Sequence, residues 1–467
     1  MLATRWDDTL PLFEKTAAPL EDTILISSIL NMRNDQKGVS KLVDLLASNV
    51  LANAVLFGGV YLLTRLVSPA EFGKYSLLVA ITLALQPLFT LRYEHAIPVA
   101  SSNRAAASLF IFCVFFTLFV TGAGFALSVA LISTGALASN QDGQLSGLIL
   151  LMWPACLALA LYSTAQATAL RAGTLRQLAV SRVARALLVV VGQLSLVFAL
   201  SSSASSLIAG ELVATIIASA IIIGFSYNRF GRRLISLNNV KLRYLSVVAA
   251  LKQFRVFALV GLPHAFAHSA FTALFGILLG AFYGPLALGQ YFLMRRMIFG
   301  VTVLFSTATY QLSVSEASAA KGNPDKLRQL YKSAVGVISI VTIPAALLMV
   351  ALGEPIFSTL FGSEWGAAGQ LATATFLLIA VEPIASAIAF VPVFLKRQNE
   401  AFGWSVAQNL AGIASLSGIF AFGGSLTVAI LGSSLIVGLV LIAYMARLFH
   451  LCKDAAGGVA EATRLRR

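Results

Sequence analysis

Charge is what this sequence has least of. Charged side chains make up 11% of its 467 residues, against about a quarter in a soluble domain, which is too few to cover a water-facing surface. Cysteine is nearly absent as well. Cys113, Cys156 and Cys452 show no paired spacing on an outer loop, so no disulfide framework is expected. No Gly-rich phosphate loop, nucleophile motif or metal-ligand cluster occurs, and no cofactor, metal or ATP-driven step is expected of the chain. The first 40 residues mix acids and bases around "ILISSIL" (Ile24 to Leu30) and lack a basic leader with a small-residue cleavage site. They are read as a cytoplasmic tail.

Apolar length is what the sequence has in abundance: 58% apolar residues and a mean hydropathy of +0.87. A net charge of +14 could suggest nucleic acid, but the cations fall in short segments between apolar runs, which is a topology signal and excludes that partner. About 20 apolar residues cross about 30 Å of hydrocarbon as a helix. Twelve such runs are expected, near 42–66, 76–98, 106–133, 146–170, 183–201, 206–226, 257–281, 288–313, 334–358, 369–394, 402–421 and 426–446. With the N-terminus inside, 28 of the 33 Lys and Arg lie in inside segments, and the outside loops hold only Arg65 and Lys74. Both termini are therefore expected in the cytoplasm, with the protein in a bacterial cytoplasmic (inner) membrane. The outside loops are too short for an external catalytic domain.

The chain writes its punctuation twice. "SPAEFGKYSL" (Ser68 to Leu77) is echoed 216 residues later by "GPLALGQYFL" (Gly284 to Leu293), and "FSYNRF" (Phe225 to Phe230) by "IAYMARLF" (Ile442 to Phe449) at an offset of 217. The repeated unit is six helices long, and an even number of crossings returns each copy in the same orientation. The expected fold is an all-α membrane protein, its twelve helices in two parallel-repeat six-helix lobes around a central cavity. The expected divisions are a tail (1–40), an N-lobe (41–226), a linker (227–256), a C-lobe (257–447) and a C-terminal tail (448–467). The stretch from Tyr227 to Arg255 carries seven cations and no acid, as a segment lying on an anionic leaflet would.

Charges within apolar runs cost about 2.5 to 3.5 kcal/mol on insertion scales, so they mark functional candidates. "LRYEHAIPVA" ends span 2 with Arg92, Glu94 and His95, and "QYFLMRRMIFG" opens span 8 with Arg295 and Arg296. On continuous helices Arg92 would lie about 25 Å beyond Tyr75 and Arg295 about 6 Å beyond Tyr291, giving cations at two depths. Either these side chains snorkel to the headgroups or they hold an anion, and guanidinium suits phosphate because it donates in a planar fork. Asp44, Asn49 and Asn53 in span 1 and His264 and His268 in span 7 fall near equivalent positions; interhelical hydrogen bonding fits the two histidines better than metal binding, and Asn49, Asn53, His264 and His268 join His95 as further substrate-binding candidates. Glu382, just before Pro383, is a candidate for coupling to a proton or Na⁺, with Glu94 and Asp44 beside it. Glu211 is read as interfacial, and Arg185 is counted with the cytoplasmic cations.

Taken together, "RLVSPAEFGKYSLLVAI", "TLRYEHAIPVA", "LKQFRVFALVGLPHAF" and "LALGQYFLMRRMIFG" resemble the polysaccharide transporter branch of the multidrug/oligosaccharidyl-lipid/polysaccharide exporter superfamily. The resemblance covers roughly residues 41 to 447. It implies a flippase, not an enzyme, that carries a polyprenyl-diphosphate-linked oligosaccharide to the outer leaflet by alternating access, for O-antigen (lipopolysaccharide) or exopolysaccharide export. Arg92 would match its basic position in span 2, and Arg295 or Arg296 that of span 8. Its partners would be the lipid-linked oligosaccharide, membrane lipids and a polysaccharide polymerase or chain-length regulator. A cation-coupled drug extruder and a polytopic polymerase or ligase are the alternatives.

Overall fold

Helices account for every regular element in the computed structural model, which describes residues 36–100, 102–135, 143–226, 240–320 and 323–464. These residues form two units. The first, Gln36–Ile277, holds α1 (Gln36–Leu63), α2 (Pro69–Thr90), α3 (Asn103–Ser133), α4 (Gly143–Ala172), α5 (Leu175–Ala199), α6 (Ala204–Ser226), α7 (Val240–Gln253) and the start of α8 (Leu262–Ala319). The second, from Leu278 onward, holds the rest of α8, then α9 (Pro324–Phe361), α10 (Gly366–Ala374), α11 (Phe376–Ala387), α12 (Val391–Phe394), α13 (Gln398–Ala421) and α14 (Leu426–Arg464). The N-terminal tail, residues 227–239 of the linker and the side chains of Asp44, His264 and His268 lie outside the described residues.

Among the described residues nine helices are long and apolar enough to cross a membrane, where the sequence suggested twelve runs. The difference lies in three places. The described apolar part of α1 is only Ala47–Leu63, spans 7 and 8 run together in α8, and α13 is not apolar enough to count. The chain is a multi-pass, all-helical membrane protein.

The two copies of the repeated motif each restart a helix after a non-helical residue. Ser68 is extended (φ −66°, ψ 154°), its Oγ accepts the Glu71 N–H at 3.5 Å, and Pro69 opens α2. Gly284 breaks α8 with φ 84° and ψ 172°, a region essentially confined to glycine, and Pro285 follows at the start of the next stretch. Glu71 ties this corner of the first unit together: its carboxylate accepts the Ala204 N–H at the start of α6 (2.8 Å) and pairs with Lys74 at 2.7 Å. A carboxylate there also complements the positive end of the helix dipole.

Span 2 does not continue to residue 98 as one helix. It stops at Thr90, Leu91 and Arg92 both turn left-handed (φ 50° and 63°), and a short 3-10 turn, Tyr93–Ala96, follows. In a continuing helix the Phe89 carbonyl would accept the N–H of Tyr93; here it accepts the buried Thr117 hydroxyl of α3 at 2.9 Å, which ties the end of α2 to the next helix. The expectation of a continuous span 2, with Arg92 at a depth set by a straight helix, is therefore corrected.

Candidate functional site

In the first unit the left-handed break places Arg92 at the head of the 3-10 turn. Its Nε sits 4.0 Å from where a Cβ on Gly261 would be, so the guanidinium packs against the π-turn Phe257–Gly261. Tyr93 turns the other way, donating to the Leu251 carbonyl of α7 at 3.1 Å. Glu94 is 1% exposed, and neither of its carboxylate oxygens accepts a hydrogen bond among the described residues. Its neighbour is the His95 ring, whose Nε2 lies 3.4 Å from Glu94 Oε1 and whose side chain is 44% exposed. Arg92, Glu94 and His95 thus share one short segment, with Glu94 buried near Cys113 and His95 more exposed.

A residue missed in the sequence holds that segment in place. Arg171, near the end of α4, donates through Nη1 to the carbonyls of Ala100 (2.6 Å), Ile97 and Pro98 (both 3.3 Å) and through Nη2 to Asn103 Oδ1 at 3.1 Å. It satisfies carbonyls that a helix would have satisfied internally. Sequence reading had treated it as one more cytoplasmic cation.

Asn49 and Asn53 are drawn elsewhere. Asn53 Nδ2 folds back onto the Asn49 carbonyl at 2.8 Å, and Asn49 Oδ1 accepts from Arg182 of α5 at 2.9 Å. Nearby α5 contributes Arg185, which pairs with Glu211 (3.1 Å), donates to Thr215 Oγ1 (3.1 Å) and lies over the Tyr162 ring at 5.1 Å. The Tyr75 hydroxyl donates to the other Glu211 oxygen at 2.7 Å and accepts from Gln193 at 3.0 Å. Arg185 is ten residues, or about 15 Å, into α5. It belongs to a hydrogen-bonded network between helices, and Glu211 is a partner in that network. The signal was the pair Arg182 and Arg185 at i, i+3, which places both on one helix face.

In the second unit Arg295 Nη2 meets Glu382 Oε1 at 3.2 Å, each side chain about a third exposed (32% and 31%). The guanidinium carbon lies 4.7 Å over the Phe299 ring, and Tyr291 adjoins the pair. The sequence reading treated Arg295 and Glu382 as separate candidates, one for an anion and one for a cation; the fold makes them partners. Arg296 makes no ion pair or hydrogen bond among the described residues, and adjacent positions on a helix diverge by about 100°, so it points away from the pair. The segment bearing Glu382 is fastened by side-chain hydroxyls: Ser306 Oγ donates to the Pro383 carbonyl at 2.9 Å and Thr342 Oγ1 to the Ala380 carbonyl at 3.0 Å. No group of three or more metal-ligating side chains occurs among the described residues.

The profile of a family described as "Polysaccharide biosynthesis protein" matches residues 62–370, which take in the broken span 2, the Arg171 clamp and α8. The chain belongs to that family. No curated protein sequence matches it. Among solved structures, this polysaccharide biosynthesis protein is similar to the lipid II flippase MurJ in an inward closed conformation, with a TM-score of 0.65 and 15% identity over 89% of this chain and 90% of that one. It is similar to a MOP-superfamily transporter from Pyrococcus furiosus Vc1, whose binding pocket is described as of reverse polarity (TM-score 0.58, 12% identity, 93% and 98% covered). An outward-facing multidrug resistance MATE family transporter matches as well (TM-score 0.55, 12% identity, 92% and 98% covered). At such identities the shared property is the fold, and it is the fold of transporters and flippases, not of enzymes.

Proposed function

We propose that the chain is a flippase that carries a polyprenyl-diphosphate-linked oligosaccharide across the cytoplasmic membrane by alternating access, for O-antigen or exopolysaccharide export. The observation that carries this reading is Arg296, a guanidinium within an apolar helix that no protein carboxylate neutralises among the described residues. Such a charge is costly in hydrocarbon and fits an anionic cargo, and a diphosphate offers the oxygens its planar fork can take two at a time. Arg92, packed against the turn at Gly261, would be the first unit's cation for the same cargo. Family membership supports a place in polysaccharide synthesis, and the MurJ-like fold supports a lipid-linked substrate.

Coupling to H⁺ or Na⁺ belongs to the same proposal, with Glu94, Asp44 and Glu382 as its acidic candidates, and so do cytoplasmic termini and a polymerase or chain-length regulator as partner. The test is a flipping assay in proteoliposomes with a fluorescent polyprenyl-diphosphate oligosaccharide. Arg92→Ala and Arg296→Ala should each abolish flipping while the proteins insert and purify normally. Full transport by the double variant would reject the site.

A further inference from the structure

We propose that Glu382 is a built-in substitute for the cargo's phosphate, occupying Arg295 while the site is empty and giving it up when a diphosphate arrives. The role of the exchange rests on the flippase reading; the geometry of the pair does not.

The pair is arranged for exchange. Arg295 is held from three sides, by Glu382 at 3.2 Å, by the Phe299 ring at 4.7 Å and by Tyr291. The Phe299 ring and Tyr291 both remain if the carboxylate leaves. The backbone beneath Glu382 is fixed at the Ala380 and Pro383 carbonyls by Thr342 and Ser306, so the pair can separate by side-chain rotation. About a third of each charged side chain is exposed, so the pair is not sealed off from a competitor. A single contact of 3.2 Å is also the weaker form of this interaction, since a carboxylate that meets an arginine in the two-bond fork holds it more firmly.

The exchange answers a problem every anion carrier has. Leaving a guanidinium uncompensated in a poorly solvated site is costly, so a carrier that returns empty needs another anion in place of its cargo. A ligand shifts an equilibrium only by its differential affinity for the two states; an internal carboxylate weakens the loaded state relative to the empty one and so promotes release. Arg296, one residue on and without such a carboxylate, would supply first attraction, and Arg295 the exchangeable hold.

The experiment is binding of inorganic pyrophosphate to the full-length protein in nanodiscs, followed by flipping in proteoliposomes. Glu382→Gln should bind pyrophosphate about five- to tenfold more tightly than wild type, the range expected when one partly exposed ion pair no longer competes, while turnover of lipid-linked cargo falls. A purely structural glutamate would give weaker binding or none, so the rise in affinity separates the roles. A measurement on wild type guards against misfolding of the variant: infrared difference spectra with and without pyrophosphate should show a carboxylate released from a guanidinium. If wild type binds pyrophosphate, Arg295→Ala weakens it and Glu382→Gln leaves affinity unchanged or lower, the exchange is overturned and the flippase reading stands. If wild type binds none and Arg296→Ala flips normally, both fall.

Discussion

Tyr75 and Tyr291, 216 positions apart and matched by the repeated motif, each adjoin an arginine–glutamate pair of their own unit. Tyr75 donates to Glu211, the partner of Arg185, and Tyr291 lies beside Arg295 and Glu382. The charges come from non-equivalent helices, Arg185 and Glu211 from α5 and α6 but Arg295 and Glu382 from α8 and α11, so the repeat preserves the phenol and its ion-pair neighbour but not the source of either charge.

Tyr75→Phe removes the hydroxyl that donates to Glu211 at 2.7 Å and accepts from Gln193 at 3.0 Å. Two partly or fully buried polar groups then each lose a partner, which costs about 1 to 3 kcal/mol. The apparent thermal midpoint in detergent should fall. Adding Gln193→Leu to Tyr75→Phe should cost less than the sum of the two single changes, and strict additivity would count against this network.

The Arg171 guanidinium spans three carbonyls and one side-chain amide oxygen. Arg171→Ala should loosen residues 97–100, with at least about 2 kcal/mol lost because the hydrogen bonds are charge-assisted. Arg171→Lys should recover only part of it, since a single ammonium lacks the fork. Hydrogen exchange at Ala100 and its neighbours should rise in both variants, more in the alanine.

The crossing of α9 and α10 is made backbone to backbone. A Cβ on Gly369 would run into the Gly353 carbonyl, and one on Gly353 would lie 2.6 Å from the Gly369 carbonyl. Neither neighbour is a side chain that can swing away. Gly369→Ala and Gly353→Ala should each cost about 1 to 3 kcal/mol and lower the yield of folded protein, whereas Gly336→Ala, which meets open space, should be neutral.

Leu91 holds φ 50° without being glycine or asparagine, at a cost of about 1 to 2 kcal/mol. Leu91→Gly relieves that strain while losing a half-buried side chain, so thermal stability should change little. Leu91→Val keeps the hydropathy but puts a β-branched residue in the left-handed region, and should destabilise far more. If Val proves the milder of the two, the break after α2 does not form as described.

Hydropathy made most of the fold readable, because crossing a membrane demands a length and composition that little else in a protein does. The two punctuation motifs were readable for a similar reason: Pro after Ser68 and Pro after Gly284 announce helix starts whatever the surroundings. The break at Leu91 was not, since nothing at that position disfavours a helix and the contacts around it, from Thr117 and Arg171, come from other helices. Pro87 would have been the local guess, yet α2 runs through it. The site divided along the same line. Single residues such as Arg92, Arg295 and Glu382 stood out by being charged, but their pairings depend on which helices pack together. Arg185 did not stand out because it sits near a span boundary in sequence, and its partners Glu211 and Thr215 come from the next helix.

The Thr117 hydroxyl, by meeting the carbonyl of Phe89, moors the end of the second span to an atom 28 residues downstream. The bend that aims Arg92 is thus shared property of two helices, and a packing change on α3 reaches the cation without touching it.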